Sequence, residues 1–476
     1  MTTIRYEADA VVDASGRSGR ALWISDGVAS LEPPSESVPV ESIRRSGYIV
    51  PGLRDAHLHL GSITAATSGV SLEGAAALDD VSRRIAVSGS GDVIAIAFDE
   101  TDMTPRRLMH AADLDAMIDD RAVLIYRVCG HIAMANSVAL GRAKIDRSTP
   151  DPPGGSFDRD AAGNPTGVLR ETAIDLVSAV IDDTATEIGA DDLLLTIERL
   201  SALGLTSVTA MVPAGAPAWC GPDDEFDRLL AIGGEHEMSI DAVLISNTIE
   251  DLARHASRLG SGNLRFAGWK GFADGSLGGH TAALSTPYLD RPDELGTARH
   301  DSHHFHAMAE AALELGGSVH IHAIGDAAVA AVLDLYDDLI EAGAPPDRLL
   351  IEHASLLTPD LIERMAELGV VGSVQPAFVG SDARWLDERL GSERARWAYP
   401  FRSMLDAGIR LVGGSDAPVE QPDPLSGVRA AVDRAGWNLD EALQPWEALS
   451  LFADGTFESG TALWVSPGLD RFERLT

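Results

Sequence analysis

Lysine is nearly absent from this chain of 476 residues. Lys144 and Lys270 are the only two, and the other 35 of its 37 basic residues are arginine. A lysine here departs from the local habit, so its position asks for a reason. Cysteine is as scarce: Cys129 and Cys220 are the only two. That excludes a disulfide framework and a multi-cysteine zinc site, and both read as ordinary thiols of a cytoplasmic protein. Positive charge as a whole is short, with 37 basic against 73 acidic residues and a net charge of −36. Nucleic acid and anionic membrane, which both need a basic surface, are therefore not expected as partners. No run approaches the ~20 apolar residues of a membrane span. The start, MTTIRYEADAVVDASG, lacks the basic segment and apolar run of a secretory signal.

What is present is core-forming material, 45% of the residues being hydrophobic, enough for a large buried interior. Residues 1–48 alternate in short segments between turn residues and read as a small β module. From about 49 the pattern changes to short apolar strands between longer amphipathic stretches, the mark of βα units on a parallel sheet. Strand candidates fall at 49–57, 93–98, 123–128, 205–211, 240–246, 265–272, 317–322, 349–353, 370–374 and 409–416. Ten is two more than an eight-stranded barrel needs. Setting aside 60–200, where Gly and Pro concentrate in STPDPPGGSFDRDAAGNPTG, removes two strands and leaves a length close to the roughly 250 residues of a plain barrel. The expected fold is α/β: a (β/α)8 TIM barrel with a large insertion after strand 1. The barrel would take 49–59 and 201–454, and 60–200 would be a subdomain over its mouth.

The polar residues that end these strands carry the chemistry. Strand 1 finishes in DAHLHL, and His57 and His59, two apart, share a face. Strand 4 carries Lys270 in GWKGF, strand 5 ends in VHIHAIGD with His320 and His322, strand 6 in IEHA with His353, and strand 8 in GGSDAP with Asp416. The C-terminal ends of barrel strands converge on one mouth, where catalysis occurs. Imidazole and carboxylate suit zinc and similar divalent ions, and a catalytic site keeps one position open for water. A lysine buried between two cations must be a neutral amine. Such an amine takes up carbon dioxide to become a carbamate able to bridge two ions. Metal-activated hydroxide would then be the nucleophile, with Asp416 as proton shuttle. His320, one layer deeper than His322, reads as a hydrogen-bonded core histidine.

The strings PGLRDAHLHL, RVCGHIAMANSVAL, PTGVLRE, LTSVT, KGFADGSLGGHTAAL, HAIGDAAV, IEHASLL, GSVQPAF and GGSDAPVEQPDPL resemble the amidohydrolase superfamily, in its branch of YtcJ-like proteins and N-substituted formamide deformylases. The resemblance covers nearly all of 51–425. It implies a composite β-sandwich built from both chain ends, 1–48 and 455–476, beside the barrel. It also implies metal ligands at His57, His59, His322, His353 and Asp416, with Lys270 as the carbamylated bridge. The tail, LFADGTFESGTALWVSPGLDRFERLT, is shorter than the family's usual end, so a reduced sandwich is expected. The same resemblance brings His131, Asn136 and Glu171, from the inserted block, to the substrate.

Other features have plainer readings. The run RHDSHHFH (His300, His303, His304, His306) precedes an amphipathic helix and reads as its capped, solvated start rather than a second metal site. ADGSLGG lacks the lysine and spacing of a P-loop and reads as the turn leaving strand 4, its glycines admitting close approach of substrate. The functional expectation is a metal-dependent hydrolase of a C–N bond, amide or N-formyl, in a small molecule. It would use one or two divalent ions, zinc foremost, with a homodimer as an open option. Two alternatives stand beside it: a mononuclear deaminase or cyclic-amide hydrolase on the same barrel, and a barrel kept as a non-catalytic binding protein.

Overall fold

The computed structural model describes residues 3–34, 39–68, 70–87, 91–128, 130–152, 155–181, 189–215, 224–260, 262–299, 301–457 and 461–476. Cys129, Cys220 and His300 lie outside these residues. Eight parallel strands form the central sheet in chain order: β1 (Leu53–Leu58), β2 (Leu205–Pro213), β3 (Ser239–Ile245), β4 (Leu264–Phe272), β5 (Ser318–Ala323), β6 (Leu349–His353), β7 (Val371–Val374) and β8 (Leu411–Gly413). They are the eight expected from the apolar pattern, with helices such as Asp326–Glu341 and Pro359–Leu368 between them. These helices bury one stripe each, for example Val329, Val332, Leu333 and Tyr336, against the strands, as an amphipathic period requires.

Two strand ends differ from the sequence reading. The stretch 49–57 splits, because Pro51 removes a backbone donor and Gly52 sits at φ 145°. Tyr48–Val50 joins a terminal sheet and β1 begins at Leu53. Strand 8 is only three residues long, since residues 414–416 leave the ladder to reach β1. Between β8 and β1 the barrel closes by isolated contacts: Asp416 N–H donates to His57 C=O (2.7 Å), and His59 N–H to Ala417 C=O (2.8 Å). Asp55 clasps the same seam, its carboxylate accepting from His57 N–H and Ser415 N–H, both at 3.0 Å. A Cβ on Gly414 would stand 2.6 Å from His57 N, so only glycine allows the two strands this close.

The insertion between β1 and β2 carries its own six-stranded sheet, ordered Gly155–Arg159, Pro165–Glu171, Ile132–Ala135, Val123–Arg127, Val93–Phe98, Val70–Ser71. Apolar clusters cover both of its faces, one around Ile85, Phe98 and Met109, the other around Leu124, Leu169 and Ile174. The two chain ends share one seven-stranded sheet, in which the hairpin Leu463–Val465/Phe472–Arg474 extends Tyr48–Val50. Arg45 stacks 3.9 Å over the Trp464 ring and pairs with Glu473, tying the ends together. No helix among the described residues is long and apolar enough to cross a membrane.

Candidate metal centre

His57 and His59 end β1, and both Nε2 atoms approach one oxygen of Asp416, at 3.3 and 3.2 Å. One ligand atom from each of the three lies within 4.8 Å of the others. His322 and His353 complete the ring of imidazoles, with centroids 4.5 Å apart and His353 5.0 Å from His57. Lys270, 2% exposed, projects from β4, its charge felt by His57, His322 and His353. The structure thus brings together all six residues His57, His59, Lys270, His322, His353 and Asp416.

Each imidazole is oriented from behind. His57 Nδ1 meets Glu352 at 2.5 Å, and His353 Nδ1 donates to Gln375 Oε1 at 2.8 Å. His322 Nε2 donates to the Gly275 carbonyl at 2.9 Å, with Asp274 at 3.3 Å. The ring nitrogens left over, Nε2 of His57 and His353 and Nδ1 of His322, are those available to an ion, the tautomer logic of a ligating histidine with an outer partner. Burial holds His322, His353 and His59 neutral, their pKa values lying below the ordinary range. Burial acts the same way on His57, but the carboxylates of Glu352 and Asp416 outweigh it and raise its pKa. Asp416 stays ionised: burial opposes its charge, yet the facing His57, His59 and His353 rings hold it well below the usual carboxylate range. Neutral imidazoles around a carboxylate are the donor set of a divalent ion, so these residues fit one.

Several supporting residues escaped the sequence reading. Glu352 is fully buried and also bonds His320 Nδ1 at 2.6 Å, so His320 is a hydrogen-bonded core histidine behind the ring. Strand alternation puts Leu350 and Glu352 on one face and Ile351 and His353 on the other. His353 nonetheless faces the centre, because its backbone is left-handed (φ 73°). Asp274, next to His322, accepts the backbone N–H groups of Ala283, Ile324 and Gly325.

The three insert residues divide. His131 lies over the mouth, its ring 5.2 Å from that of His322. Glu171, 1% exposed, bonds His131 Nδ1 at 2.9 Å and pairs with Arg299. Burial would raise its pKa, but His131 and Arg299 bring it down to about 2. Asn136 is not brought to the centre. Its amide is spent inside the insert, accepting from Val123 N–H and Ala139 N–H and donating to the Ile118 and Arg121 carbonyls. Among the histidines of the 300–306 run, His303 and His304 offer their backbone N–H to the cap Asp301.

Beside the cluster opens a cavity of about 220 Å³, lined by His131, His322, His353 and Asp416, by the rings of Phe378, Trp385 and Tyr399, and by charged side chains such as Arg127, Asp382 and Arg384. The Ser276–Gly278 turn after β4 forms part of its wall. Gly275 leads into that turn where a Cβ would strike Glu171 Oε1 at 2.1 Å.

A parallel barrel with imidazoles and a carboxylate at the C-terminal strand ends defines a metal-dependent hydrolase of the amidohydrolase type. Comparison with known proteins agrees. The amidohydrolase family model matches residues 46–460, and the chain belongs to that family. It is 31% identical to YtcJ of Bacillus subtilis over 93% of this chain and 87% of that protein. It is 29% identical to the N-substituted formamide deformylase of Arthrobacter pascens over 93% and 86%. Among solved structures, an uncharacterized metal-dependent hydrolase from Pyrococcus horikoshii superposes with a TM-score of 0.72 at 27% identity, covering 98% of each chain.

Proposed function

We propose that this protein hydrolyses a C–N bond, of amide or N-formyl type, in a small molecule. The observation that carries this reading is the convergence of His57, His59 and Asp416 donors within 4.8 Å, with Asp416, His322 and His353 opening onto a cavity whose wall mixes aromatic side chains with charged ones. The likeness to a formamide deformylase supports the choice of bond. His57, His59 and Asp416, with His322, His353 and a carbamylated Lys270, would hold one or two divalent ions, zinc foremost, whose charge polarises a carbonyl and makes water a nucleophile near neutral pH. Asp416, kept ionised by the rings around it, takes the proton from that water and delivers it to the leaving nitrogen. His131, fixed by Glu171, stands at the rim to contact the substrate carbonyl side. The insert and the Ser276–Gly278 turn shield the reacting atoms from bulk water.

The test is a zinc-loaded sample against a panel of N-formyl and N-acyl amines, together with Asp416→Asn. Turnover should fall by roughly 10²–10⁴-fold in the variant while the protein still binds zinc. Full activity in Asp416→Asn would remove the aspartate from the mechanism. No turnover of any amide, formamide or lactam by the loaded wild type would remove the function itself.

One observation favours a second reading, a single-ion deaminase or cyclic-amide hydrolase with unmodified Lys270. Among the described residues only His57, His59 and Asp416 form a three-donor group. Metal stoichiometry and the mass of the peptide containing residue 270 separate the two: one ion and a free amine select the second.

A further inference from the structure

The wall of the cavity beside the metal cluster holds more acid than base. Its two arginines are already matched: Arg127 pairs with Glu100 and Asp99, and Arg384 with Asp99 and Asp102. Two carboxylates on the same wall, Asp382 and Glu420, are not. Asp382, in the stretch after β7, accepts from the Tyr399 hydroxyl, and Glu420, four residues beyond Asp416, accepts from the Ser381 hydroxyl. Each commits one oxygen to that bond, and neither forms an ion pair among the described residues. Both are partly buried, and the remaining oxygen of each stays accessible.

The charge of this pair is not balanced by its surroundings. Burial, and then the charge of Glu420, push the Asp382 carboxyl up to about 7, against the Tyr399 hydrogen bond and the more distant charges of Arg127 and Arg389. Burial raises Glu420 as well, with Asp416 and Glu73 adding to it and Ser381 and Arg384 opposing. Two carboxylates that repel in water-poor surroundings are costly unless a proton or a cation comes between them. The rings of Phe378, Trp385 and Tyr399 line the same cavity. They suit an organic cation, which brings apolar surface with its charge, over a bare metal ion, which takes a shell of oxygens. Phe378 stacks on His353 of the metal centre, with centroids 6.0 Å apart and planes within 7°. Phe378 and Asp382 are the ends of one short helix, i and i+4 on one face, so the aromatic wall links the ion site to the acid pair.

We propose that Asp382, with Glu420, selects substrates that carry an ammonium group, held by the two open carboxylate oxygens while the scissile group lies at the metal centre. The substrate class rests on the hydrolytic reading. The cation site does not, because no residue of the metal cluster takes part in it.

Calorimetric titration of benzylammonium, with benzyl alcohol as the neutral control, tests the site on the zinc-loaded protein and again after chelation. Benzylammonium should bind saturably in both states, and about tenfold or more tighter than the alcohol. Asp382→Asn, nearly equal in shape, should weaken benzylammonium by about tenfold and Glu420→Gln by about two- to fivefold, with the alcohol unaffected. Binding that needs the metal, equals that of benzyl alcohol, or is unchanged in Asp382→Asn overturns the cation site. If Asp382→Asn does not fold, unchanged affinity in Glu420→Gln overturns it. In the loaded enzyme, a mono-N-formyl diamine should show a lower KM than the N-formyl alkylamine of equal length, and Asp382→Asn should erase the difference. Equal KM values for the two formamides, with binding intact, overturn the substrate class. No turnover of either removes the hydrolytic reading and the substrate class with it, while calorimetry still decides the cation site.

Discussion

Glu352 accepts from two imidazoles at once, His57 on β1 and His320 on β5. Burial alone would protonate such a carboxyl, but the His57 charge and both hydrogen bonds hold its pKa far below the ordinary range. It thereby dictates which nitrogen of His57 is left for the metal. Glu352→Gln should lower zinc affinity by about 10–100-fold, the usual cost of losing an outer partner of a ligand, read by competition with a chromophoric chelator. Unchanged affinity would reduce Glu352 to packing. The residue was legible in IEHA only in part. His353 stood out as a ligand type, whereas its neighbour looked like an ordinary strand acid, and nothing local announces the left-handed turn that brings both inward.

At the scale of single elements, Asn136 shows how a string shared with a family can carry structure instead of chemistry. As the cap of the helix Ser137–Arg142 it satisfies Ala139 N–H and also pins the start of the strand at Val123. Asn136→Ala should cost about 2–3 kcal/mol in stability by uncapping the helix and leaving buried partners unpaired. Denaturant titration should show the loss with kcat/KM unchanged, and the reverse pattern would return Asn136 to the site. The helix Glu225–Ile232 offers a pH test. Glu225 accepts from Gly61 N–H in full burial, and that burial pushes its pKa up to about 8. The folded state then binds this proton more tightly than the unfolded chain, so the group costs stability as pH rises from about 4.5 to 8 and costs nothing below that window. Glu225→Gln should match the wild type in thermal denaturation near pH 5 and gain on it toward pH 8. A gap that is constant across this range would refute a protonated Glu225.

For the whole molecule, the proposed ligands come from the ends of five strands, and His57, His59 and Asp416 meet at the seam between β8 and β1, so ion binding there would be linked to barrel stability. Zinc at 100 times its Kd should stabilise the fold by about 2.7 kcal/mol, visible as a zinc-dependent rise in Tm that chelation reverses. His59→Ala should blunt that rise, and an identical response in the variant would place the bound ion elsewhere. The insert is held over the mouth partly by the pairs of Arg384 with Asp99 and Asp102 and of Arg106 with Glu388. These are partly exposed and individually weak. None of these cross-links is visible in the sequence, because their partners lie hundreds of residues apart and any acidic surface supplies candidates.

The linear chain determined the eight barrel strands, the inserted block and the ligand types at the strand ends, since apolar periodicity and strand-end position depend on local sequence. It singled out Lys270 by the same economy that made every other barrel cation an arginine. Only the folded molecule decided which nitrogen each histidine presents, that Glu352 and Asp274 stand behind the ring, and that Asn136 is spent as a cap. Those outcomes depend on which distant side chains meet in a medium without water, where every buried charge and donor must find its partner.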